Sequence, residues 1–236
     1  MAAHQVHALL MGGQACVLYG AAEFSRDTDL VMLAEAANWQ RLLAGLGELQ
    51  AESIAVPPCQ FEYLLRGHAL HFRCHHPEAN GMRVDVMAVM RGVEAFSKLW
   101  SRRVSLLDTD GTAYELLSLP DLVQAKKTQR GKDWPMIQRL VEADYFWNRA
   151  EPTAAQVGFW LRELRTPELL VEAANQHPER CREVAASRPL LRYATARNTD
   201  ELLNALAEEE KQERAKDRLY WQPLKAELEK LRHQRT

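Results

Sequence analysis

No run in the sequence reaches the 18 or so uninterrupted apolar residues that a membrane-spanning helix needs. Lys and Arg are missing from residues 1–25. A secretory signal opens on basic residues, so the folded protein is expected to begin at residue 1. Neither charge dominates: 30 Lys+Arg against 32 Asp+Glu leave a net charge of −2, which excludes a polycation that coats nucleic acid by bulk charge alone. Cysteine is sparse. Cys16, Cys59, Cys74 and Cys181 show no CxxC spacing and none of the density of a secreted disulfide scaffold, so reduced thiols and a cytoplasmic location are expected. Glycine is scarce in the second half, with nine of eleven lying before residue 112. A 236-residue chain that is 47% hydrophobic and 26% charged is otherwise ordinary for a globular protein, which argues against disorder.

The glycine asymmetry predicts a strand-bearing first half and a helical second half. Short β-compatible runs lie at Val6–Met11, Asp29–Leu33, His68–Cys74 and Met82–Met90, and Ala34–Gln50 carries Trp39, Leu42, Leu43 and Leu46 at helical spacing. Val104–Leu107 and Ala113–Leu119 flank the turn residues Asp108-Thr109-Asp110-Gly111-Thr112, which predicts a hairpin. Ser118-Leu119-Pro120-Asp121, Thr166-Pro167-Glu168, Pro178, Pro189 and Thr199-Asp200-Glu201 mark helix starts, and four to six helices are expected after residue 118. The last is expected to break or restart at Pro223. The fold class is α/β, a mixed sheet with flanking helices over residues 1–117 carrying the hairpin as an extension, followed by a helical domain over 118–236.

Chemistry concentrates in two segments. Val6–Met11 runs into Gly12-Gly13, a short helix is predicted over 14–22, and Ser25-Arg26-Asp27-Thr28-Asp29 opens the next strand. Residues two apart on a strand point to one side, so Asp27 and Asp29 can act together. Gly12-Gly13 offers backbone N–H groups with no side chain to block a phosphate. Asp85 lies in the apolar strand Met82–Met87, where an unpaired carboxylate is costly to bury. It requires a metal or a partner, and Arg83 on the same face is one candidate. A phosphate cradle beside carboxylates suits a magnesium–nucleotide site.

The order Gly-Gly, Asp-x-Asp and a later isolated Asp resembles the nucleotidyltransferase fold of the DNA polymerase β-like superfamily. Met-Gly-Gly-Gln-Ala, Tyr-Gly and Ser-Arg-Asp-Thr-Asp-Leu-Val are similar to bacterial abortive-infection and toxin–antitoxin nucleotidyltransferases. The resemblance covers residues 6–31 and 82–90, with a weaker match over 119–133. It implies that Asp27, Asp29 and Asp85 ligate Mg²⁺ and that Gly12, Gly13 and Ser25 meet the phosphates of an NTP. It further implies that Lys126, preferred over Lys127, and Arg130 are phosphate-binding cations. Asp85 would also help deprotonate a hydroxyl acceptor, which is an RNA end, a protein side chain or a small molecule. Two departures stand out: Gly-Gly replaces the Gly-Ser of well-characterised members, and Glu23 stands where many relatives carry Arg. Neither abolishes metal binding, and the three retained acids speak against decay, but the departures keep open the alternative of an inactive binding or regulatory protein, for example in a toxin–antitoxin pair with a partner regulator.

The residues also admit plainer readings. Asp27 and Asp29 can be a solvated strand start, Gly12-Gly13 a tight turn, and Lys126, Lys127, Arg130 and Lys132 a solvated basic face. His68, His71, Cys74, His75 and His76 fall on both faces of a strand, which argues against a zinc site and puts His71, Arg73 and His75 on the side of Asp85. Trp134, Tyr145, Phe146, Trp147, Phe159 and Trp160 fit core and inter-helix packing.

Overall fold

A computed structural model describes residues 1–109 and 111–235, the side chain of Arg235 excepted. The chain forms an α/β structure with a seven-stranded mixed sheet and a helical C-terminal region. It divides into two compact units, residues 1–125 with 219–236, and residues 126–218. The division differs from a cut at 117/118. The helix Leu119–Ala125 and the C-terminal segment both fall in the first unit, the latter held by contacts such as His68 with Glu227, 159 residues apart.

In the first unit the strands are β1 (Ala8–Met11), β2 (Asp27–Met32), β3 (Glu52–Ser53), β4 (Leu70–Arg73), β5 (Arg83–Met87), β6 (Val104–Leu107) and β7 (Ala113–Leu116), in the sheet order β3-β4-β5-β2-β1-β7-β6. Strands β1 and β2 are antiparallel, and β2 runs parallel to β5. The expected hairpin forms from β6 and β7 and joins the main sheet through β7, which lies parallel to β1. Its turn includes Asp110, outside the described residues. The helices are α1 (Gly12–Leu18), α2 (Ala36–Glu48), α3 (Phe61–Leu65), α4 (Phe96–Ser101) and α5 (Leu119–Ala125).

Burial explains the strand boundaries. Along β2 the polar start Asp27–Asp29 is half-buried, and Leu30, Val31 and Met32 are buried. Along β5 the alternation places Val84 and Val86 in the core and turns Arg83 and Asp85 to the other face. Ser118 accepts from the Asp121 backbone N–H at the start of α5 and donates to the Asp121 carboxylate, as the predicted cap requires. One residue ties the site-bearing strands to α2: fully buried Asn38 accepts from the His7 N–H at 2.8 Å and donates to the carbonyls of His7 (3.0 Å) and Leu33 (2.8 Å).

The second unit contains α6 (Asp133–Asn148), α7 (Ala154–Glu163), α8 (Pro167–Gln176), α9 (Pro178–Ala185), α10 (Leu191–Thr195) and the first part of α11 (Thr199–Arg235). Seven helices therefore follow residue 118 among the described residues, more than the four to six expected, because Pro178 and Asn198 punctuate short segments. The expected break at Pro223 does not occur: α11 runs through it. The missing N–H falls on a stretch where Leu219, four residues back, is exposed, so solvent can satisfy the orphaned carbonyl. Trp134, Tyr145, Phe159 and Trp160 are buried as expected, but Phe146 and Trp147 are 54% and 88% exposed. Each step along a helix turns about 100°, so the two residues after buried Tyr145 rotate off its face.

Replacing Asn38 by Ala removes the side-chain partner of the His7 N–H and of the Leu33 carbonyl, while the His7 carbonyl keeps the Leu33 N–H. The variant is expected to lose about 2–3 kcal/mol of stability in urea denaturation, and an unchanged midpoint would show that these bonds do not anchor the strands.

Candidate functional site

Gly12 and Asp29 interlock. Gly12 has φ +67°, and a Cβ built on it would stand 1.8 Å from Asp29 Oδ2. A Cβ on Gly13 would stand 2.3 Å from Ser25 Oγ. Gly12 is thus required by both its backbone conformation and the Asp29 side chain lying against it, whereas at Gly13 an added side chain would meet the rotatable Ser25 hydroxyl. The Gly13 N–H points to Asp29 Oδ2 over a long 3.4 Å. Ser25 Oγ donates to the Asp27 carbonyl at 3.2 Å, and Gln14 Nε2 donates to Thr28 Oγ1 at 2.9 Å. The loop between α1 and β2 is further tied by the Tyr19 hydroxyl, which donates to the Leu117 carbonyl at 2.8 Å.

The strand register sets two rows of polar side chains on one sheet face. His71, Asp85, Asp29 and Met11 are successive partners across β4, β5, β2 and β1, while Arg73, Arg83 and Asp27 form the adjacent row. Partners in register share a side of the sheet, so the three aspartates lie together on it. Asp27, Asp29, Asp85, Gly12, Gly13 and Ser25 are thereby brought into one neighbourhood by two strands and a turn.

Asp85 is held through both of its oxygens. Arg83 Nε donates to its Oδ1 at 3.0 Å and Arg83 Nη2 to its Oδ2 at 3.1 Å, while His71 Nδ1 lies 2.9 Å from Oδ1. Burial pushes the Asp85 carboxyl up, but the hydrogen bonds and charges of His71 and Arg83 outweigh it and hold the carboxyl below its ordinary value. The placement of Arg83 and His71 beside Asp85 matches the strand-face reading of the sequence.

A divalent metal can be tested against these groups. Three hard oxygen donors share one sheet face beside the Gly12-Gly13 turn, a donor chemistry that suits Mg²⁺, and Asp27 with Asp29 would supply two of them. Asp85 does not fit as arranged, because both of its oxygens accept from protein donors. Among the described residues no group of three or more His, Cys, Asp or Glu side chains is set to hold a metal. The histidines disperse: His68 is buried on Glu227 Oε2 at 2.7 Å, His71 is on Asp85, and His75 lies 3.5 Å from Glu52.

Lys126 and Arg130 belong to the second unit. Lys126 is about nine-tenths buried with its Nζ 3.9 Å from Asp133 Oδ1, and Arg130 Nε donates to Asp133 Oδ2 at 2.7 Å. Lys127 pairs with Glu163 at 2.8 Å. The plain reading of these residues as a solvated basic face is therefore corrected for Lys126, because Asp133 and Trp134 at the start of α6 are buried beside it. Asp133 escaped notice in the sequence, although an acid three residues after Arg130 at a helix start carries that signal.

Comparison with protein-family models finds no match, and comparison with curated proteins finds none. The chemistry of the site therefore rests on its own residues.

Alanine at position 12 must clash with Asp29 and adopt an unfavourable φ. Gly12→Ala is expected to cost at least about 2 kcal/mol, and the Gly12→Ala/Asp29→Gly double variant is expected to lose less than the sum of the two single changes in a denaturation cycle. Strict additivity would refute the interlock. A second expectation concerns acid. Because the folded-state value of Asp85 is lowered, its contribution to stability is complete above its unfolded value of about 3.9 and is lost as pH falls from there through the lowered folded value. Asp85→Asn should flatten that part of the stability profile, and an unaltered acid limb would contradict the pairing with His71 and Arg83.

Proposed function

We propose that the first unit is a Mg²⁺-dependent nucleotidyltransferase that moves a nucleoside monophosphate from an NTP to a hydroxyl acceptor. The observation that carries this reading is the placement of Asp27, Asp29 and Asp85 on one sheet face beside a glycine turn in which Gly12 cannot bear a side chain. In the proposed reaction Asp27 and Asp29 hold the magnesium. The ion, when bound, supplies charge neutralisation for the triphosphate and polarises its phosphoryl oxygens. Gly12 and Gly13 let the phosphates approach the backbone, and Ser25 braces the turn from below. Asp85, ionised at neutral pH, takes the proton of the acceptor hydroxyl as that oxygen forms a bond to the α-phosphorus and pyrophosphate leaves. An RNA end, a protein side chain or a small molecule is the acceptor class. Cytoplasmic action is part of the proposal. It is supported by four free cysteines, and among the described residues no helix is long and apolar enough to cross a membrane.

A second reading, a nucleotide-binding or regulatory protein without transfer activity, is favoured by one observation: Asp85 is held by Arg83 and His71. Its natural partner is a regulator protein, as in a toxin–antitoxin pair.

Incubation with each α-labelled NTP and Mg²⁺, alone and with total RNA or cell extract, separates the two. Transfer is expected from the wild-type chain and should fall at least about a hundredfold in Asp27→Ala and in Asp85→Ala. Magnesium-dependent nucleotide binding without transfer selects the second reading. Absence of both binding and transfer rejects the nucleotide site altogether, and equal transfer by wild type and variants places the chemistry elsewhere.

A further inference from the structure

Asp85 and Arg83 grip each other along a single strand. They are two residues apart on β5, and the guanidinium reaches both carboxylate oxygens, so the pair forms without any help from chain topology. Asp85 Oδ1 has a second neighbour in His71, whereas Oδ2 is held by Arg83 alone among the described residues. A carboxylate that serves the same site as Asp27 and Asp29 needs a free oxygen, and Arg83 occupies it. Arg83 is also the register partner of Asp27, so its guanidinium stands on the face where a triphosphate bound at Gly12-Gly13 would lie. The side chain is 39% exposed and therefore accessible to an incoming anion. A planar guanidinium fork suits phosphate as well as it suits carboxylate.

From this geometry we infer that Arg83 is an exchangeable counter-ion, which holds Asp85 in the absence of nucleotide and passes to the phosphates when a nucleoside triphosphate binds. The exchange frees Asp85 Oδ2, while His71 keeps the carboxylate oriented through Oδ1. Nucleotide and metal binding are then coupled through one side chain, and each raises the affinity for the other. This inference rests on the nucleotidyltransferase reading and assigns Arg83 as its positioning residue.

The test uses Mn²⁺ as a paramagnetic probe, titrated into the full chain without nucleotide and counted by electron paramagnetic resonance. Arg83→Gln is expected to bind Mn²⁺ at least about fivefold more tightly than wild type and to bind a non-hydrolysable NTP at least about fivefold more weakly. The Mn²⁺ gain should vanish in the Arg83→Gln/Asp85→Asn double variant. Arg83→Lys keeps the charge but not the fork and should fall between, which also covers the case in which the Gln variant does not fold. In the wild-type chain, the Arg83 Nε–H resonance in the NMR spectrum should shift on addition of the NTP. Unchanged Mn²⁺ affinity in a folded Arg83 variant, or an unmoved Arg83 resonance in a wild-type chain that binds the NTP, overturns the inference and leaves the function reading intact. A wild-type chain that binds neither Mn²⁺ nor the Mg²⁺–NTP complex overturns the function reading and, with it, this one.

Discussion

Asp29 occupies the space that any side chain at position 12 would need, and the candidate site is built around that contact. At the same residue the chain leaves β1 with a positive φ and enters α1. The contact draws the start of β2 under the turn, so that Asp27 and Asp29 emerge from the core at the point where their strand becomes polar. One residue along, Gly13 lies against the Ser25 hydroxyl. Two adjacent glycines therefore lie directly against side chains of the segment that opens β2, and Gly12 cannot take a side chain without displacing Asp29.

Electrostatics across the sheet follows from the register. Acids come from β2 and the inner position of β5, cations from the outer position of β5 and from β4, and the two sets meet at Asp85. Burying a carboxylate mid-strand is unfavourable unless it is paired, and Arg83 with His71 answers that cost locally. The pairing stabilises the first unit in the same arrangement that occupies Asp85, so stability and the proposed chemistry draw on one group. Functional sites commonly carry such a conflict between local and global preference. In the second unit Asp133 plays a comparable part, drawing Lys126 and Arg130 onto the start of α6.

How far the sequence revealed this depended on the range of each interaction. Placements set by strand periodicity were legible: Asp27 shares a face with Asp29, and Asp85 shares one with Arg83, as a period of two requires. The helix starts at Ser118, Pro167, Pro178 and Thr199 were legible because capping chemistry is local. Asn38 was not, since nothing in a helical pattern says that one polar residue will turn inward to clamp two strand ends. His68 could be placed on the apolar side of its strand, but its partner Glu227 is 159 residues away. Nor does the sequence of α11 disclose that its C-terminal segment belongs with the sheet-bearing unit, or that Pro223 is tolerated within it. Phe146 and Trp147 stand among aromatics at helical spacing, but as the two residues directly after buried Tyr145 they rotate off its face.

The central claim is that Asp27 and Asp29 form an oxygen-donor pair beside a phosphate-accepting turn. It is tested most directly by calorimetric titration of a non-hydrolysable nucleoside triphosphate into the wild-type chain and into Asp27→Asn and Asp29→Asn, each with Mg²⁺ and with EDTA. The account predicts binding by wild type that requires Mg²⁺ and is lost in both variants while their folds persist. Binding that ignores both the metal and the two substitutions, or no binding by wild type at all, would contradict it.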